Sequence, residues 1–255
     1  MMFRMVLEVV QFELARSLTW GRFSLWLVLV GFPIALIAAL QFLGMPPRSD
    51  EVLGSIVYFL IPEVMCLLAL LLWATPVVST EIEGQTWGYL ALRTSGRREV
   101  ILGKYSTAVL WSLSATLLSV TICTLLLGDA GSIKLWFVLC LLCVLSSFAH
   151  ASLYLLIGVV FHRRTIVTAV FYTGAIEYGL SFVPALANKL TINYRLRGLL
   201  SNWMDWDLTR SSSEVLLGSE STSTHLTVLF LLTLLLLGLS LAKVRWSEFP
   251  TQQVG

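Results

Sequence analysis

The chain reads as an all-α membrane protein with six transmembrane helices, and three observations carry that reading. Charged residues make up only 13% of the sequence, about half of the roughly 25% usual in a soluble domain. Six apolar runs, 23–43, 53–78, 105–127, 134–160, 166–187 and 225–242, come close to or exceed the ~20 residues needed to cross a hydrocarbon core. These runs also lack the polar stripe that a helix packed on a soluble core keeps toward water.

The segment before the first run is patterned. Phe3, Leu7, Val10, Leu14 and Leu18 recur at helical spacing beside a narrow stripe of Arg4, Glu8, Gln11 and Ala15. Residues 1–22 are therefore expected to form an interfacial helix on the cytoplasmic face, its basic side chains toward anionic headgroups. The first apolar run begins too far in and is too long for a signal sequence, and it ends without an A-x-A site, so it counts as a retained span.

Six spans put both termini on one side. Eleven basic residues fall on that side, among them Arg16, Arg97, Arg98, Lys104, Arg164 and Lys243, against six on the other. The excess predicts a multi-pass protein of the plasma (inner) membrane with both termini in the cytoplasm. Trp20, Trp26, Trp73, Trp87, Trp111, Trp136 and Trp246 lie near the expected interfaces.

The external segment, 188–224, opens with "NKLTINYRLRGLLSNWMDWDL", which suits short interfacial or partly re-entrant helices. It then becomes a serine-rich stretch that reads as a flexible loop. The segment is too short to build its own core, so residues 1–255 form a single transmembrane domain. Cys66, Cys123, Cys140 and Cys143 all fall inside spans, where they suit helix packing rather than a disulfide framework. His150, His162 and His225 show no metal-ligand spacing, and a net charge of +2 is too small to imply nucleic acid.

Between spans two and three lies the polar stretch "STEIEGQTWGYLALRTSGRREVILGK", residues 79–104. Thr80 and Glu83 form a Thr-x-x-Glu capping box, and Glu81 falls in the first turn, where the helix dipole favours carboxylates. The first helix is expected to stop near Thr94, Ser95 and Gly96, and a second to start at "RREVILGK". Such an elbow is tied to a span at each end, so a push on it moves both spans together. The plainer alternative is a solvated loop carrying positive-inside arginines.

In order, Glu81, Glu83, Thr86, Leu90, Leu92, Arg97, Arg98, Glu99, Gly103 and Lys104 make this stretch resemble the cytoplasmic signature of type-2 ABC exporter permeases. The N-terminal "FELARSLTWGR", the six spans and the external helical segment before the sixth are similar in layout. The pattern departs at Ile82, where a basic residue is common, at Gln85, where a glycine is expected, and at Gly96, in the usual proline region.

The resemblance implies the transmembrane permease subunit of an ATP-driven transporter that exports a lipid, a peptide or another amphipathic compound. It implies that 79–104 is a coupling helix seated on a separate ATPase subunit, with Glu81, Glu83, Thr86, Leu90, Arg97, Arg98 and Glu99 as the coupling residues. It also implies a second copy of this chain or a similar permease. ATP and Mg would be held by the partner: this sequence has no G-x-x-x-x-G-K-[ST] loop, so no catalytic residue, metal or cofactor is expected on it.

Two carboxylates, Glu63 and Glu177, fall inside predicted spans. A charge at the bilayer centre costs about 2.5–3.5 kcal/mol on insertion scales, so each is expected to line a pathway or gate, or to make an interhelical hydrogen bond. No basic residue stands at matching depth in the sequence. Other functions compatible with the layout are mechanotransmission to an outer-face protein without solute transport, an uncoupled membrane anchor, and an intramembrane hydrolase. The last would use Ser146 and His150, neighbours at i, i+4 on one helix.

Overall fold

The computed structural model describes residues 2–43, 50–77, 79–83, 96–128, 132–161, 164–179, 188–206 and 220–246. Among them there is no strand. The helices are α1 (Met2–Ser17), α2 (Trp20–Phe42), α3 (Asp50–Tyr58), α4 (Cys66–Trp73), α5 (Ser79–Glu83), α6 (Gly96–Leu126), α7 (Ile133–Val160), α8 (Thr165–Tyr172), α9 (Ile192–Met204) and α10 (Thr222–Trp246). A π-helical segment, Phe59–Met65, joins α3 to α4, and a second, Thr173–Gly179, extends α8.

Among the described residues, five helical stretches are long and apolar enough to cross a membrane: Trp20–Phe42, Glu51–Glu81, Arg97–Leu126, Ile133–Val160 and Thr222–Trp246. The run expected at 166–187 is helical from Thr165 to Gly179, and its last eight positions, 180–187, lie outside the described residues.

Side-chain hydrogen bonds set the directions of these helices. Trp26 donates to Ser114 at 3.0 Å, Ser119 to the Val30 carbonyl at 2.9 Å, and Gln41 to the Leu126 carbonyl. Partner numbers rise together, so α2 and α6 run parallel. Tyr105 donates to the Phe148 carbonyl at 3.0 Å and Trp136 to Thr121 at 3.2 Å, so α6 and α7 run antiparallel. Ser146 donates to the Pro62 carbonyl at 2.7 Å, and Gly158 abuts the Thr75 carbonyl, so the α3–α4 rod and α7 are again parallel.

The core centres on α7, which is buried nearly all round from Ala149 to Val159, while its first half keeps Phe137, Leu141 and Phe148 exposed. Its apolar residues are interspersed with Ser146, Ser147, Ala149, Ala151, Ser152 and Gly158, small residues that let neighbouring helices approach closely. A Cβ on Gly158 would stand 2.3 Å from the Thr75 carbonyl oxygen. By contrast, α2 and α10 bury little of themselves and turn long apolar faces outward, with Phe23, Leu27, Phe32, Phe230, Leu234 and Leu235 exposed.

Helix α1 packs along the foot of α6 through only part of its apolar stripe. Val10 and Ser17 are buried and Val6, Val9, Glu13 and Leu14 half-buried, whereas Leu7, Phe12 and Leu18 are exposed. Gly103 decides which part. Its missing side chain leaves room for Val9, whose Cγ1 lies 2.4 Å from where a Cβ would be. The stripe of Leu7 and Leu18 is left for the bilayer surface.

Candidate coupling joint and buried carboxylate centre

At one end of the bundle, Lys104 is buried where α1, α5 and α6 meet. Its ammonium pairs with the Glu81 carboxylate and lies 3.7 Å from Glu13, while Arg16 approaches Glu81 at 4.0 Å. A buried ammonium is tolerable only when it is paired, and here carboxylates from two helices supply the pairing. Trp111 donates to Ser17 at 2.8 Å, pinning the end of α1 to α6. The two ends of the polar stretch, Ser79–Glu83 and the start of α6, are thus held together by the Glu81–Lys104 pair.

The local start of α5 differs from the expected capping box. The helix begins at Ser79, and the Thr80 hydroxyl donates back to the Pro76 carbonyl at 2.8 Å rather than accepting from the next turn. Pro76, in the short 3-10 turn before α5, presents that carbonyl to Thr80 and at 3.3 Å to Ser79. Glu81 does fall in the first turn.

Of the residues implied in coupling, Glu81 and Glu99 are buried, Arg98 is exposed and Arg97 half-exposed at the start of α6. Glu83 closes α5. Thr86 and Leu90 lie outside the described residues, as does the rest of 84–95.

The second polar centre forms nearer the other end, and the two carboxylates that the sequence leads one to expect inside spans, Glu63 and Glu177, both sit in π-helical segments. Pro62 has no N–H to donate and cannot keep an α-helical register with the preceding turn. The helix widens there instead, and the Cys66 N–H bonds to the Ile61 carbonyl, five residues back. The widened turn presents Glu63 to Arg197 of α9. The guanidinium grips the carboxylate with two N–H groups, Nε to Oε2 at 3.0 Å and the other nitrogen to Oε1. This fork-on-fork geometry gives each charge two directed hydrogen bonds.

Glu177 is satisfied in another way. Its carboxylate accepts from the backbone N–H groups of Ile192 at 3.4 Å and Asn193 at 3.1 Å, the first turn of α9. Thr191 caps the same helix by accepting from Tyr194 at 3.3 Å. A negative charge at a helix N-terminus meets the positive end of the dipole.

Helix α9 is itself buried, through Ile192, Tyr194, Leu196, Gly198, Leu199 and Leu200, against α7 and α10. A clasp holds its outer flank. Glu220 pairs with Lys189 at 2.9 Å and with Arg195, and the Glu220 carbonyl accepts from Asn202 at 3.0 Å. Burial pushes the Glu220 carboxyl upward, but the hydrogen bonds and charges of Lys189 and Arg195 outweigh it and hold the group below its ordinary value.

Arg197 is the residue that the sequence reading missed. It was counted as external because it lies in 188–224, yet its side chain reaches the fully buried Glu63. The available signal was the spacing of Ile192, Leu196, Leu199, Leu200 and Trp203, an apolar helical stripe adjoining Arg197. The stretch 192–204 is thus a packed helix; 207–219, expected as a loop, lie outside the described residues.

The Ser146–His150 pair is present, with Oγ and Nδ1 at 3.1 Å, on a fully buried stretch of α7. The serine hydroxyl donates to the Pro62 carbonyl at 2.7 Å. Its proton is thereby directed at a carbonyl oxygen rather than at a base, which ties α7 to the π-helical turn. Cys66, Ser112 and Ser147 continue this polar seam at 3.3–3.5 Å. No cluster of metal-ligating side chains occurs among the described residues.

Compared with protein-family models and with characterised proteins, the sequence matches none.

Proposed function

We propose that this chain is the transmembrane permease subunit of an ATP-driven exporter of the type-2 ABC kind, acting on a lipid, a peptide or another amphipathic compound. The observation that carries the reading is the Glu81–Lys104 pair. It closes the base of the polar stretch and joins it to α4, α6 and α1 at once. A load applied to 84–95 by an ATPase subunit is therefore delivered to a stiff junction rather than absorbed by a slack loop.

The order of polar residues through 81–104 supports the same reading, as does the buried helix α9 at the other end. Helix α9, held by Glu63, Glu177 and Glu220, occupies the position of a gate that the spans can open when they shift. ATP and Mg belong to the partner subunit, and the exposed apolar faces of α2 and α10 suit a second permease copy or lipid. On this reading the termini face the cytoplasm and the chain resides in the inner membrane.

Co-purification tests the proposal. With an ATPase subunit co-expressed, replacing Glu81 and Glu83 together by lysine is expected to abolish co-purification and ATP-dependent export. A Glu83→Lys change alone, which spares the Lys104 pair, is expected to weaken both. Unchanged co-purification together with unchanged ATP-dependent activity overturns the assignment.

A second reading, mechanotransmission to an outer-face protein, is favoured by the clasped and ordered surface around α9. ATP-driven uptake of a substrate analogue into inverted vesicles separates the two readings, because only the exporter produces it.

A further inference from the structure

We infer that the groove between the foot of α6 and the end of α10 binds an anionic phospholipid through its phosphate. The groove has a volume of about 320 Å³ and is lined by Arg98, Leu102, Gly238, Leu241, Ala242, Arg245 and Trp246. Its chemistry divides along its length. Arg98, Arg245 and the exposed Trp246 indole stand at the helix ends, and Leu102, Gly238, Leu241 and Ala242 form an apolar floor leading toward the bundle centre. A charged head with an attached hydrocarbon tail matches that division, whereas a free anion leaves the floor unused.

The charges argue for the same occupant. Among the described residues no carboxylate pairs with Arg98 or Arg245. Glu99, next in sequence to Arg98, is buried and is not part of the lining. Basic residues at the end of a membrane helix favour α10 through its dipole, but arginine in the first turn of α6 gains nothing from its own helix. A phosphate between two planar guanidinium groups accounts for both positions. Basic pockets between membrane helices are suited to anionic headgroups, and tryptophan is favoured at headgroup depth.

Gly238 keeps the floor open, since a Cβ built there meets nothing within 4 Å. The groove can therefore be filled without disturbing the bundle. The inference needs only that the helices stand in a bilayer and does not depend on the exporter reading.

The test measures lipid retention directly, without an ATPase. The purified chain, delipidated in detergent, is given equal amounts of phosphatidylglycerol and phosphatidylcholine with the same acyl chains, and retained lipid is counted by native mass spectrometry. The wild type is expected to prefer phosphatidylglycerol roughly thirtyfold, as about 1 kcal/mol for each of two basic residues beside an anionic headgroup implies. Arg98→Gln with Arg245→Gln is expected to remove the preference, Arg245→Lys to keep most of it, and Gly238→Leu to reduce retention of the lipid. Brominated phosphatidylglycerol is expected to quench Trp246 fluorescence in otherwise unaltered protein, with the quench lost in Trp246→Phe. Equal retention of the two lipids by the wild type overturns the inference. So does full preference in the double variant, absence of the Trp246 quench, or displacement of the lipid by soluble glycerol phosphate, which would indicate a free-anion site.

Discussion

A carboxylate inside an apolar bundle must find donors or give up its charge, and Glu63 and Glu177 find different donors. Glu63 has a full counter-charge in Arg197, whereas Glu177 has the N-terminal amides of α9. The energetic consequences differ accordingly. Glu63→Gln leaves a largely buried guanidinium facing a neutral amide, and a loss of about 3 kcal/mol is expected, the lower end for breaking a buried pair. Removing both charges, with Glu63→Gln and Arg197→Met, is expected to recover much of that loss. Thermal melting of the four proteins in detergent measures the coupling, and purely additive effects would contradict a direct pair. In Glu177→Gln the single amide oxygen can serve only one of the two backbone N–H groups that now donate to separate carboxylate oxygens, and the other faces an NH2 donor, so a loss of about 1–3 kcal/mol is expected.

Elements in this fold are held by close approach at glycine and by local clasps, and each can be tested separately. Gly158→Ala drives a Cβ into the Thr75 carbonyl, a backbone atom that cannot move aside. The expected loss is at the upper end of the 1–3 kcal/mol typical of overpacking. Gly198→Ala meets the His225 ring at 2.4 Å; a side chain can rotate away, so a smaller loss is expected. Melting temperatures in the order wild type, Gly198→Ala, Gly158→Ala check this ranking.

The attachment of α9 also has a pH dependence. Because Glu220 is held below its ordinary value when folded, its contribution is fully present above the unfolded glutamate pKa of about 4.3 and is lost as pH falls through the folded value. Protection of the 188–206 amides from hydrogen exchange, taken relative to the intrinsic rate at each pH, is therefore expected to fall on acidification toward pH 3. In Glu220→Gln that protection is expected to be lowered already at neutral pH and to change less with acid.

At the scale of the whole molecule, the helix directions bring both ends of the described chain together. Helix α1 lies against the foot of α6, and α10 ends beside Arg98 and Leu102 of the same foot. Single cysteines placed at Arg4 and at Trp246 in a cysteine-free background are therefore expected to react with an impermeant thiol reagent from the same side of a sealed vesicle. Labelling from opposite sides would contradict the bundle. The two polar centres occupy opposite ends of the α4–α6–α7 core, and this rigid seam of Cys66, Ser112, Ser146 and Ser147 lies between them.

Composition and run length were enough to establish helices of membrane-crossing length, because hydrocarbon thickness and backbone hydrogen bonding leave a chain so poor in charge few other solutions. The same reasoning located α1 and the presence of a helix within 188–224. It could not choose the buried face of α1, which depends on the notch at Gly103 in a helix nearly a hundred residues later. Nor could it find Arg197 for Glu63 or α9 for Glu177, since those pairings join segments far apart in the chain. Helical periodicity is a local property that a short window of sequence contains. The partner of a buried charge is set by which helices pack together, and that is decided only when the bundle closes.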